Sequence, residues 1–341
     1  MELPIRDYFA HAYRLTTEEI CIRDKLMDWI PDRIIDAHAH CNLPEHVAEI
    51  NPRARMHMLS TFPYFTLEES ERLRTMFFPG KELRSLRFAK TFRGLNHRAA
   101  NDYLLEQSPA EDRIALFGLP EDVEYTNRML AHPRVSALKM YWSYVEPPAE
   151  TIYDFFRPEI LEVAQALDVP LVLHLPKMIV RSLDDLLQVV RDFPRLRMVL
   201  AHLGLSALPV NGLREAFEAL APFDQVAADN SLNPSEEVTQ IALDVLGTSR
   251  ILYGSDEPLN LIRFTTYEHP EKGQRIVTDY PYHWVDYREH KVYGHLAKGV
   301  IHSHWGNLRS LQQCIERLVV TERRSARENI FYNNAVAMYG F

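Results

Sequence analysis

The sequence predicts an α/β protein built as a (β/α)8 TIM barrel, a single domain over residues 1–341 with long insertions after strands 1 and 8. Three observations carry this. From about residue 112, short near-continuous apolar runs alternate with amphipathic helices, the pattern of a parallel sheet buried on both faces. The residues closing successive runs, Lys139, His174, His202, Asp229 and Asp256, are spaced by 35, 28, 27 and 27 positions, the length of one strand, one helix and two loops. Polar residues suited to chemistry stand at strand ends from His38 to Asp256, and only closure of the sheet brings the first and last to one mouth. An open doubly wound sheet would share the period but hold them apart.

The chain to about residue 30 reads as a helix, and the first strand is Ile34-Ile35-Asp36-Ala37-His38-Ala39-His40. In extended backbone, residues i and i+2 point the same way, so His38 and His40 form a candidate metal grip; neutral imidazole suits zinc and its neighbours. Residues 41 to about 82 are the first insertion. It leads into a basic segment with Arg72, Arg74, Lys81, Arg84, Arg87, Lys90, Arg93 and Arg98, which reads mostly as a solvated helix face from which one or two side chains could meet a substrate carboxylate. Further strands are expected at 114–117, 135–138, 171–173, 198–201, 226–228 and 251–253. Between them, Ser182-Leu183-Asp184-Asp185 reads as a capping-box-like helix start, with Leu183, Leu186, Leu187 and Val190 as one buried stripe ended by Pro194. Residues 257 to about 303 form the second insertion, rich in Tyr267, His269, Tyr282, His283, Trp284, His302, His304 and Trp305. These read either as a substrate cover or as packing at a subunit interface; a homodimer is expected.

Composition narrows the function. A chain of 341 residues, 46% hydrophobic, can bury one large core. No apolar run approaches the roughly 20 residues of a membrane helix, and MELPIRDYFA lacks an apolar signal core, so a cytoplasmic location is expected. Cys21, Cys41 and Cys314 are too few and scattered for a disulfide framework or a thiolate site; any metal is held by His and carboxylate. A net charge of -9 disfavours nucleic acid, whose phosphates want a basic field. The expected partner is a small-molecule substrate.

Strand ends supply His38, His40, Lys139, His174, His202 and Asp256. One buried histidine is ordinarily a satisfied core residue. Four, with an aspartate, would leave several buried polar groups to satisfy at about 1–3 kcal/mol each, and a cation answers that need. With these residues in place the chain resembles the amidohydrolase superfamily, in the branch related to aminocarboxymuconate semialdehyde decarboxylase. The resemblance spans most of the chain: the His-x-His of residues 35–40, the histidines of 171–174 and 199–204, the aspartate of 252–258, and Asn329-Ile330-Phe331-Tyr332-Asn333-Asn334-Ala335, similar to that branch's closing helix.

That resemblance implies one divalent ion, zinc by expectation, on His38, His40, His174 and Asp256. A bound dication lowers a water's pKa to about 7. Asp256 would take a proton as water attacks an ester, lactone or amide carbonyl, and His202 would polarise that carbonyl. The same parts allow non-oxidative decarboxylation; a barrel that only binds metal is a third reading. Lys139 is either a carboxylated bridge between two metals, with His202 on the second, or an anchor for a substrate carboxylate, or a lysine directed away. Tyr141 is a candidate pocket residue. Asp229 and Asn230 read as supports of the site or as caps of the helix near Pro234. Lys177 and Arg181 are further candidates for an anionic substrate.

Overall fold

The computed structural model describes residues 13–47, 65–91, 94–145, 147–282 and 285–341. Arg93, His283, Trp284 and residues 1–12 of the expected first helix lie outside them. Eight strands run parallel in chain order: β1 (Arg33–His40), β2 (Glu82–Phe88), β3 (Arg113–Phe117), β4 (Val135–Met140), β5 (Leu171–Leu173), β6 (Met198–Leu200), β7 (Val226–Asp229) and β8 (Ile251–Leu252). The circle closes where Ala37 N–H donates to the Tyr253 carbonyl at 2.9 Å and Asp256 N–H to the His38 carbonyl at 2.8 Å. Closure disposes of the open-sheet alternative.

Inside the barrel Ile35, Leu86, Ala115, Ala137, Val172, Val199 and Leu252 form one apolar layer that also takes in Ala335 and Tyr339. The last two belong to the C-terminal helix Asn334–Tyr339, which follows a π-turn at Asn329–Asn333. Residues at strand starts hold this segment: Arg197 donates to the Ala337 and Met338 carbonyls at 3.0 and 2.9 Å, and Arg113 to Gly340 at 3.2 Å. The C-terminus thus plugs the end of the barrel opposite the catalytic mouth.

Two expectations need correction. The basic segment is no solvated helix face throughout, because β2 lies within it and Arg74, Arg87 and Lys90 are buried. Arg87 Nε donates to Asp112, and its Nη1 reaches Ser70 Oγ at 3.0 Å, Cys41 Sγ at 3.2 Å and Glu257 Oε1 at 3.4 Å; burial of the cation is tolerable because it is paired. The helix after β5 is Ile179–Asp192, so Ser182 is not its cap; the Ser182 hydroxyl donates to the Lys177 carbonyl at 3.1 Å. The stripe itself holds, with Leu186 and Val190 buried and Leu183 and Leu187 packed against the core.

The first insertion contributes the helix Leu67–Phe77, started by a Thr66–Glu69 capping box. The second holds a hairpin of β9 (Phe264–His269) and β10 (Gly273–Thr278), then helices Tyr287–Tyr293 and Ser303–Glu316. Tyr282, His302, His304 and Trp305 are buried inside this chain rather than offered to a partner. His304 stacks on Phe77 at 4.0 Å and Trp305 meets the same ring edge-on at 5.1 Å, so the two insertions pack together. Glu19, in the helix Thr17–Met27, ties the N-terminal segment to them through Arg263 at 2.9 Å and His302 Nδ1 at 2.8 Å. No helix among the described residues is long and apolar enough to cross a membrane.

Candidate metal centre

Strict alternation along β1 would put His38 and His40 on the wrong face, since Ile35 and Ala37 already point into the barrel. The pairing with β2 slips between Asp36 and Ala39, where three residues of β1 pass two of β2. Such a bulge re-aims the side chains beyond it, and both imidazoles turn inward over Phe88, at 4.9 and 4.5 Å. Asp36 fills the step: its carboxylate accepts from His38 N–H at 3.0 Å and Ser255 N–H at 2.8 Å.

Asp256 arrives from the end of β8. Its Oδ1 lies 3.3 Å from His38 Nε2 and 3.0 Å from His40 Nε2, and its Oδ2 4.0 Å from His202 Nε2. Two clusters of potential ligand atoms result, His38–His40–Asp256 and His38–His202–Asp229. His174 falls in neither; its ring lies 5.3 Å from His202 and 4.7 Å from Tyr141. Sequence spacing therefore finds five residues that the fold gathers at one mouth, with His38, His40 and Asp256 in direct approach.

The outer nitrogens decide what the rings can do. Every Nδ1 faces an acceptor: Asp229 Oδ2 at 2.9 Å for His38, the Ala89 carbonyl at 3.1 Å for His40, the Leu175 carbonyl at 3.0 Å for His174, and Ser231 for His202. Each Nδ1 therefore carries the hydrogen in the neutral ring, and each Nε2 offers a lone pair. Asp256 Oδ1 is buried and accepts no well-formed hydrogen bond although two imidazole nitrogens stand close. Lone pairs directed at a buried, unsatisfied carboxylate oxygen are what ligands look like around a cation, so the donor set fits a divalent metal.

Electrostatics agrees. Burial brings His40 down to about 4 against the pull of Asp256, and likewise lowers His202 and His174, keeping the rings neutral at pH 7. Lys139 is buried, with its ammonium 5.1 Å from the Phe88 ring centre, and it makes no hydrogen bond or ion pair among the described residues. Burial lowers it to about 8, with Asp229 and Asp256 opposing. Tyr141, half-buried, stands edge-on to His174.

After β6, His202, Leu203, Gly204 and Leu205 all have positive φ, a single left-handed turn, and Asp256 is left-handed as well at φ 58°. Such backbone in non-glycine residues costs about 1–2 kcal/mol each and clusters at functional sites. Asp229 and Asn230 cap nothing: Ser235 caps the helix Glu236–Leu246, while Asp229 holds His38 and Asn230 bonds Asn307 at 3.0 Å. Lys177 pairs with Glu150 and Arg181 is exposed. Sequence reasoning missed Ser231, which no spacing marks, and took Arg87 for part of a solvated face although it is buried.

A closed eight-stranded barrel with imidazoles and a carboxylate converging at its mouth defines the class of metal-site barrel proteins. The Amidohydrolase family model matches residues 35–341, and the chain belongs to that family. No curated protein sequence matches it significantly. Among solved structures it is similar to an amidohydrolase from Burkholderia multivorans with bound zinc, at 15% identity, covering 90% of this chain and 99% of that one with a TM-score of 0.57. It is also similar to a putative 2-pyrone-4,6-dicarboxylic acid hydrolase from Pseudomonas putida, at 15% identity over 90% and 97% with a TM-score of 0.54. A dihydroxybenzoic acid decarboxylase from Polaromonas with bound manganese gives 16%, 90%, 96% and 0.54 in the same terms. At these identities the likeness is one of fold.

Proposed function

We propose that the chain is a metal-dependent hydrolase that cleaves an ester, lactone or amide bond in a small carboxylated molecule, with one divalent ion, zinc in the first instance, on His38, His40, His174 and Asp256. The observation supporting it most is the approach of two Nε2 lone pairs to the unsatisfied Asp256 Oδ1. A divalent ion bound there supplies a water of near-neutral pKa and polarises a carbonyl. Asp256 accepts a proton as the carbonyl is attacked and returns it to the leaving group. His202 steadies the reacting oxygen, and the Lys139 ammonium anchors the substrate carboxylate beside Tyr141.

Elemental analysis of the purified protein tests the ligand set: one equivalent per chain is expected, falling in His174→Ala. Two equivalents would instead place a carboxylated Lys139 and His202 in the ligand set. Incubation with lactones, esters and carboxylated aromatics, monitored for acid and for carbon dioxide, tests the reaction. Carbon dioxide release in place of acid would replace hydrolysis with decarboxylation, for which the same residues suffice.

A further inference from the structure

Asp229 is fully buried at the end of β7 and collects four donors on its two oxygens. Oδ2 accepts from His38 Nδ1 at 2.9 Å. Oδ1 accepts from the backbone N–H of His202 at 3.0 Å, the backbone N–H of Ser231 at 3.1 Å and the Ser231 hydroxyl. The hydroxyl hydrogen being given to Asp229, Ser231 Oγ presents only lone pairs to His202 Nδ1, 2.8 Å away, and the Ser231 carbonyl, 3.2 Å from the same nitrogen, can only accept. There is no room for these groups to rearrange. A methyl on Gly254 would meet the Cβ atoms of His38, Ser231 and Asp229 at 3.0, 3.2 and 3.5 Å.

We propose that Asp229 is the positioning residue that sets the tautomers of His38 and, through Ser231, of His202, and so decides which imidazole nitrogens are open to a cation. The proposal rests on the reading of this mouth as a metal centre, but its content is a distribution of hydrogens within the protein. The two oxygens are unequal, and that inequality makes Asp229→Asn informative. If the amide of this variant turned its NH2 toward the partners of Oδ1, it would face two backbone N–H groups, which cannot accept. It therefore keeps its oxygen on that side and presents NH2 to His38 Nδ1. His38 must then accept at Nδ1 and carry its hydrogen on Nε2, which removes the lone pair directed at the metal position.

The test uses the full chain, labelled with 15N at its histidines, as wild type, Asp229→Asn and Ser231→Ala. Long-range proton–nitrogen NMR of the metal-free proteins reads each ring, and zinc titration against a competing chelator reads affinity. Wild type is expected to show Nδ1–H at both His38 and His202. Asp229→Asn is expected to move the His38 hydrogen to Nε2 and to weaken zinc binding about 10- to 100-fold, with an unchanged circular dichroism spectrum. Ser231→Ala should leave His38 and the zinc affinity as they are, while His202, which keeps the residue-231 carbonyl at 3.2 Å but loses the hydroxyl oxygen at 2.8 Å, gains a measurable Nε2–H fraction. An Nε2–H His38 in wild type overturns the proposal; so does Asp229→Asn that binds zinc weakly without moving the ring hydrogen, since loss of charge alone would then suffice. Ser231→Ala with His202 still wholly Nδ1–H overturns the relay through Ser231. Wild-type protein that bound no zinc would refute the metal reading alone, and its ring spectra would still decide the tautomers.

Discussion

Arg87 Nη1 lies 3.4 Å from Glu257 Oε1, joining the second strand to the residue that follows Asp256 in the chain. The same guanidinium bonds Asp112 at the start of β3 and Ser70 in the helix Leu67–Phe77, and Ser70 Oγ in turn donates to Glu257 at 2.5 Å. One buried cation therefore ties β2, the start of β3, the residue after Asp256 and the first insertion together.

Arg87→Met should destabilise the fold by about 3–5 kcal/mol, because it leaves the Glu257 carboxylate buried without its cation and Asp112 with only the longer Arg74 contact at 3.7 Å. Chemical denaturation reads this as a lower midpoint at unchanged slope. A loss below about 1 kcal/mol, the worth of an exposed pair, would show that the network is not what holds β2, β3 and the end of β8 in place.

Gly204 sits at φ +69°, and a Cβ there would come 2.7 Å from Ile179 Cβ. Gly204→Ala therefore combines left-handed strain with a clash, a cost of about 2–4 kcal/mol, and it displaces the turn that carries His202. Thermal unfolding should show the loss, and Ile179→Gly in the same chain, which removes the Cβ that is met at 2.7 Å, should recover the part due to the clash. If the double variant is as unstable as the two single losses added, the contact is not the cause.

Lys139→Met is expected to raise KM at least about tenfold for a carboxylated substrate, the equivalent of about 1.4 kcal/mol, with little change in kcat. An uncharged analogue should be handled alike by both proteins. Because burial brings the ammonium down to about 8, KM of the wild type for the carboxylate should climb as pH rises through that value. A kcat loss with KM unchanged would assign Lys139 to the chemistry instead.

Glu19 is fully buried, and although burial raises its pKa, His302 and Arg263 outweigh this and hold it well below the usual 4.5. A depressed folded-state value means a stabilisation complete above the unfolded pKa near 4.5 and lost progressively as pH falls below it. Glu19→Gln should therefore be less stable than wild type at pH 7, and the difference should shrink steadily on acidification from about pH 5. Parallel stability profiles for the two proteins across that range would refute the assignment.

Much of the site was legible because a barrel repeats itself along the chain. The positions of His174, His202, Asp229 and Asp256 follow from strand–helix spacing, and the His38–His40 pair from strand alternation. The bulge in β1 was not legible, yet His38 within it and His40 after it both face Phe88, so the pair survived it. β2 was missed because Arg84 and Arg87 break the apolar pattern expected of a barrel strand. The neutralising partner of Arg87, Asp112, belongs to another strand's start. The start at Ile179 was missed because no capping side chain marks it.

By itself the sequence determined the architecture and the set of residues at the mouth, since both depend on periods of a few residues and on connection lengths that a linear text carries. Tertiary structure alone decided which arginines are buried and which imidazole nitrogen faces inward. Those outcomes are fixed by partners far away in the chain, Asp229 lying 191 residues from His38, and a hydrogen bond forms by distance in space, of which local pattern keeps no record.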